Sequence, residues 1–163
     1  MPARIGHRNL PQLLLKAREC MLSHFRPILN HCGVTEQQWR IIRALSEHGA
    51  LEPRQICEIC QILSPSMAGV LSRMEEAGLI VRERMAEDQR RVQVRLTERS
   101  HDIIEYIAPL IDAQYQALEN AVGKPLLDEV YRVLDRLIES EARAKPTPVR
   151  LDPVPYRSPA TSR

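Results

Sequence analysis

The chain has 163 residues, of which 44% are hydrophobic and only 4% aromatic, and its formal charge is +2. That length supports one compact domain with extensions, and a core drawn from Leu, Ile, Val and Ala favours helices over an extensive sheet. The near-neutral balance excludes a polybasic nucleic-acid coat, so any contact with nucleic acid must come from locally placed arginines.

Leu10, Leu13, Leu14, Ala17, Met21, Phe25, Ile28 and Leu29 recur at helical spacing. They predict a first helix ending near Asn30-His-Cys-Gly33, with Pro27 bending or tightening its last turn. Thr35-Glu-Gln-Gln38 predicts a capping box for a second helix, whose inward stripe is Trp39, Ile42 and Leu45 and which His48-Gly49 ends. Pro53 opens a third helix with Ile56, Ile59 and Cys60 facing in.

The fourth segment runs Ser64-Pro-Ser-Met-Ala-Gly-Val-Leu-Ser-Arg73-Met-Glu-Glu-Ala-Gly78. Ser64 has the chemistry of an N-cap, Pro65 that of a first helical residue, and Gly78 that of a stop. Met67, Val70, Leu71 and Met74 form a buried stripe. The other face carries Ser66, Ala68, Gly69, Ser72 and Arg73, and with Ser64 it is small or polar throughout. Such a face suits a helix that approaches base edges in a major groove.

Two short β-prone runs follow, at 79–84 and 92–96, around a charged turn containing Asp88 and Arg90. The segment reads as the basic hairpin, or wing, of a winged helix-turn-helix. Asp88 is expected to pair with Arg90 and hold the tip, a structural role, since a carboxylate facing phosphate would repel it. Arg90 and Arg91 are expected in the minor groove, with Arg84 a further candidate. Thr97 reads as a helix cap. An ordinary amphipathic helix or a solvated hairpin explains either feature alone; the order helix, glycine stop, basic hairpin is far more specific.

Thr97-Glu98 starts a long helix carrying Ile103, Ile104, Ile107, Leu110, Ile111, Leu118 and Val122, with a kink predicted at Pro109. Gly123-Lys-Pro125 breaks it. A last helix carries Leu126, Leu127, Val130, Leu134, Leu137 and Ile138. One small winged helix cannot cover this much apolar surface, so the terminal helices are expected to bury it against a second copy. From Ala142 onward, five prolines predict an extended, disordered tail. The expected architecture is therefore mainly α. A winged helix-turn-helix DNA-binding domain with an α/β wing hairpin occupies 35–97, helical dimerisation regions occupy 1–34 and 98–142, and a Pro-rich tail occupies 143–163.

Enzymatic chemistry finds no support: there is no phosphate-cradling glycine loop, no G-x-S-x-G and no H-E-x-x-H. No cofactor or metal is expected. Cys57-Glu-Ile-Cys60 has the spacing of half a metal site, but shares a helix with Ile56 and Ile59 and reads as two small buried hydrophobes. The low cysteine content and the lack of a membrane-spanning run predict a cytoplasmic setting.

The order of elements resembles the MarR family of transcriptional regulators, and Asp88, Arg90, Leu96 and Thr97 match its D-x-R-x5-L-T wing signature. Ala17-Arg-Glu19, Phe25-Arg-Pro27, Thr35-Glu-Gln-Gln-Trp-Arg-Ile-Ile-Arg43, Pro65-Ser-Met67 and Asp88-Gln-Arg-Arg91 are similar to the homoprotocatechuate-operon repressor (HpaR) subgroup. Where that subgroup usually has a basic residue, this chain has Ser64. The resemblance implies a homodimeric repressor of an aromatic-acid catabolic operon on a palindromic operator. Release would follow binding of a small hydroxyaromatic carboxylic acid, of the hydroxyphenylacetate, homoprotocatechuate or hydroxynicotinate type.

Such a ligand needs a cation and an aromatic or apolar wall, which points to Arg18 with Met21 on the first helix and to Arg40 and Arg43 flanking Trp39 on the second. Ion pairing is the competing explanation for these arginines. Two other functions stay open: a redox-sensing MarR-type regulator acting through Cys20, and a dimeric interaction module that binds no DNA.

Overall fold

The computed structural model describes residues 6–85, 88 and 90–144. The order of elements is α1 (Leu10–His31), α2 (Glu36–His48), α3 (Pro53–Cys60), α4 (Ser64–Glu76), β1 (Ile80–Arg84), β2 (Val92–Leu96), α5 (Glu98–Val122) and α6 (Lys124–Arg143). The described part is mainly helical with one small antiparallel sheet. The expected tail falls outside the described residues except for Arg143 and Ala144.

Local chemistry sets most boundaries. The Asn9 side chain accepts from the Gln12 amide and starts α1. The Thr35 hydroxyl accepts from the Gln38 amide at 3.2 Å and the Gln38 side chain accepts from the Thr35 amide at 2.9 Å, the predicted capping box. Gly49 and Gly78 adopt φ of +75° and +67°, where a Cβ would be strained, and so end α2 and the turn after α4. The α5 helix continues across Pro109 without a break in helical structure.

β1 and β2 pair with Ile80 opposite Leu96 and Arg84 opposite Val92. The segment before α3 joins this ribbon: Leu51 and Val94 exchange backbone hydrogen bonds of 3.1 and 2.8 Å. That bridge ties the hairpin to the base of the helical lobe.

The chain divides into two compact units, on either side of Leu118–Glu119. In the first, one apolar cluster joins α2, α3, α4 and the strands through Ile41, Ile42, Leu45, Ile56, Met67, Leu71, Met74, Ile80 and Val94. A second cluster joins Phe25 and Leu29 of α1 to Ile107 and Ile111 of α5. Trp39, Cys32 and Ile103 pack against both. In the second unit, Gly123 (φ +89°) precedes α6, and the Lys124 ammonium donates to Asp128 at 3.0 Å, which raises the lysine's proton affinity.

One inward position is corrected. Ile59, expected in the core, is 44% exposed, whereas Ile56 and Cys60 are buried. The α3 helix is only eight residues long and turns one narrow stripe inward, and Ile59 lies outside it. Replacing the fully buried Ile42 with Ala should cost about 2–5 kcal/mol, and Ile59→Ala should stay within about 0.5 kcal/mol. Urea unfolding of the two variants would check this contrast.

Candidate functional site

The outward face of α4 carries the residues singled out above. Ser64, Ser66, Ala68, Gly69 and Arg73 are exposed, while Met67, Val70, Leu71 and Met74 are buried beneath them. Ser72 is half-buried and its hydroxyl donates to Glu76 at 3.2 Å. The Arg73 guanidinium lies over Gly69, close enough that a Cβ there would meet its Nη1 at 3.4 Å. Ser64 is not the N-cap. The first backbone bond runs from the Ser66 amide to the Leu63 carbonyl at 3.0 Å, so extended Leu63 is the cap and Ser64 is the first helical residue. Pro65, without an N–H, leaves Ser66 as the first donor able to close that turn.

In the wing, acids engage most of the arginines. Arg82 pairs with Glu75 of α4, Arg95 with Glu83 at 2.8 Å, and Arg91 with Glu52 at the start of α3. The expected Asp88–Arg90 pairing takes a different form: Asp88 Oδ1 accepts from the Arg90 backbone amide at 3.0 Å, and the Asp88 carbonyl accepts from the Arg91 amide at 2.9 Å. So short a carboxylate side chain reaches the local amide more easily than a distant guanidinium, the usual Asx-turn geometry. Arg84 and Arg90 are exposed and make no ion pair among the described residues. The Thr97 hydroxyl accepts from the Ser100 amide at 3.3 Å, as a cap does.

Elsewhere in the lobe, α2 and α5 line an open cleft of about 230 Å³. Trp39, Arg43, Ser46 and Glu47 line one side, and Ile104, Ala108, Ile111, Asp112 and Tyr115 the other. Arg43 donates to Glu47 at 3.0 Å, and the Tyr115 ring packs on Phe25 with centroids 4.7 Å apart. A cation, two hydroxyls, two carboxylates and aromatic walls suit a small ring bearing one anionic and one hydrogen-bonding end.

Of the residues expected at an effector site, Trp39 and Arg43 meet here. Arg18 instead pairs with Glu36 at the start of α2, an acid also 3.9 Å from Arg26. Arg26 in turn bonds Glu19 at 2.8 Å and holds its carboxyl below the usual range. Met21 is half-buried on α1. Arg40 donates to the Cys60 carbonyl at 2.8 Å, and its buried Nε has no hydrogen-bond partner among the described residues. Asp112 and Tyr115 join the site without having been expected there; their signal is the spacing 104, 108, 111, 112, 115, which is one helical face.

The cysteines are all free thiols, Cys20 exposed and Cys60 buried, and burial pushes the Cys60 thiol up. No group of three or more metal-ligating side chains occurs among the described residues. No described helix is long and apolar enough to cross a membrane.

Three helices leading into an exposed small-residue helix, followed at once by a two-stranded wing, define a winged helix-turn-helix protein. Residues 33–91 match the model of the MarR family. The HTH-type transcriptional regulator FarR of Neisseria gonorrhoeae is 40% identical over 84% of this chain and 99% of its own length. The homoprotocatechuate degradative operon repressor of Escherichia coli is 33% identical over 81% of this chain and 89% of its own. The crystal structure of NadR in complex with 4-hydroxyphenylacetate is similar with a TM-score of 0.71, at 39% identity, over 89% of this chain and all of that one. The chain belongs to the MarR family.

The Arg82 guanidinium holds the Glu75 carboxyl below its ordinary value, chiefly through their hydrogen bond. A depressed carboxylate contributes stability above its unfolded pKa that is lost as pH falls through the folded value. Glu75→Gln should therefore flatten the acid limb of a melting-temperature series below about pH 5, near where unperturbed glutamates begin to titrate. An unchanged limb would mean that the pair adds nothing.

Proposed function

We propose that the protein is a homodimeric, sequence-specific DNA-binding repressor that a small hydroxyaromatic carboxylic acid releases from a palindromic operator. The observation that carries the reading is the α4 face, small and exposed outside and fully apolar inside, with the wing directly after it. Ser64, Ser66, Ala68, Gly69, Ser72 and Arg73 would meet base edges and phosphates of the major groove. Arg90 would enter the minor groove with Arg84 near the backbone. Arg91, already engaged by Glu52, would brace the wing unless DNA draws it away.

Residues 35–97 would form the DNA-binding domain. Dimerisation would rest on 1–34 and 98–142, where α1 exposes Leu10, Leu13, Leu14 and Leu15 and α6 exposes Leu126, Val130, Val133, Leu137 and Ile138. A two-fold pair would read half-sites about 34 Å apart. The setting is cytoplasmic, where such DNA is found.

The cavity supports the effector half of the reading. Arg43 would take the carboxylate, Trp39 and Tyr115 would wall the ring, and Asp112 or Ser46 would meet the hydroxyl. At about 230 Å³ it falls just below the ~300–1,000 Å³ of drug-sized sites and suits a single ring. NadR, which holds 4-hydroxyphenylacetate, points to the same ligand class. An acid can release DNA only if it binds the non-binding conformation more tightly.

Fluorescence anisotropy on the chain's own upstream intergenic DNA, at fixed salt, tests both halves under titration with 4-hydroxyphenylacetate, homoprotocatechuate and 6-hydroxynicotinate. Binding released by one acid supports the reading, and absence of specific binding overturns it. Binding lost only on reversible oxidation, and retained by Cys20→Ser, would replace the acid with a thiol switch. Arg90→Ala should weaken binding across sequences and lower the salt slope by about 1. Arg43→Ala should leave DNA affinity intact and raise the acid needed for release by about 10–100-fold, the contribution of a charged hydrogen bond.

A further inference from the structure

The turn that follows α4 is gripped by the first turn of α5. The Arg99 guanidinium donates to the Ala77 carbonyl at 2.8 Å, the Thr97 hydroxyl to the Gly78 carbonyl at 2.7 Å and the Ser100 hydroxyl to the Leu79 carbonyl at 2.5 Å. The Thr97 amide adds a bond to the Leu79 carbonyl at 3.3 Å. Consecutive carbonyls at the exit of one helix are thus satisfied by side chains clustered at the start of another. Ser100 is 0% exposed, so no bulk water stands ready to replace its bond.

The same helix carries the cavity wall. Ser100, Ile104, Ala108 and Ile111 follow at spacings of four, four and three, which place them on one face. Hydrogen bonds tolerate only a few tenths of an ångström before weakening, and a packed helix moves as a body. A shift of α5 at the cavity therefore reaches the end of α4 instead of dissipating in the intervening turn.

We propose that Thr97, Arg99 and Ser100 are positioning residues that couple the α2–α5 cavity to α4. When α5 is displaced, the clamp carries the C-terminal end of α4 with it, and DNA bound to α4 alters the cavity by the same route. The ligand side of this coupling rests on the aromatic-acid reading above; the link between DNA face and cavity does not.

The test uses Trp39, which lines the cavity and is the one tryptophan of the chain. Iodide quenching of Trp39 is measured in the full-length protein with and without the operator duplex, for wild type, Ser100→Ala, Thr97→Val and the hydroxyl-retaining Thr97→Ser. The expected result is that the duplex changes quenching in wild type and Thr97→Ser, and that Ser100→Ala and Thr97→Val bind the duplex but lose the change. If Ser100→Ala fails to fold by circular dichroism, the response of Thr97→Val alone decides between the outcomes.

Full retention of the change in both hydroxyl-deleting variants, or no change in wild type, overturns the proposal. A second arm adds 4-hydroxyphenylacetate. Release in wild type should span the about 5- to 150-fold typical of coupled sites, and should collapse to within about twofold in the variants with acid affinity unchanged. Where the acid does release the wild type, release of the same size in the variants overturns the coupling. A wild type that no acid releases, but whose Trp39 response to DNA still depends on the clamp, refutes the effector reading and supports this one.

Discussion

The packing of Trp39 against two separate apolar clusters is the contact on which the arrangement depends. One cluster holds α2, α3, α4 and the strands together; the other joins α1 to α5. Trp39, with Cys32 and Ile103, belongs to the margin of both. A large rigid ring is suited to this position because it fills the seam with little entropy to lose. The seam is not fully closed, however. Beside Trp39 the two helices leave the cavity, and Arg43 stands at its edge with its charge held by Glu47. Arg43 is exposed there, so the junction that unites the lobe also opens a ligand-sized cleft at its surface.

Charge around the wing is balanced locally. The hairpin is rich in arginine, yet Arg82, Arg91 and Arg95 are each tied to a glutamate. Exposed pairs of this kind add little stability. Their effect is on aim, since they engage three arginines and leave Arg84 and Arg90 exposed, with no ion pair among the described residues. A chain of nearly neutral charge can present a local positive surface this way, without the diffuse field that would attract any polyanion.

Much of this was legible in the residues themselves. The Thr35–Gln38 capping box, the glycine stop after α4, the hairpin and the stripe Met67, Val70, Leu71, Met74 all depend on neighbours within a few positions, and all are present. The departures lie where a contact spans the fold. Arg18 and Arg40 look alike as cations near apolar stripes, but Glu36 claims one and the Cys60 carbonyl the other. Ile59 reads as core until the short α3 is set against its partners and turns it outward. Tyr115 and Asp112 carry no motif of their own; only packing of α5 on α2 brings them to Arg43 and Trp39.

The sequence by itself determined the helices, most of their caps, the wing and the family, because hydrophobic period, capping and turn chemistry act over one or two turns of chain. The tertiary structure alone decided which arginines are engaged by glutamates, where α2 and α5 leave a cavity, and that Thr97, Arg99 and Ser100 hold the carbonyls after α4. Those outcomes depend on groups 7 positions apart (Arg82 and Glu75) and others as much as 39 apart (Arg91 and Glu52) finding one partner over another, and no helical or strand period records which of them wins.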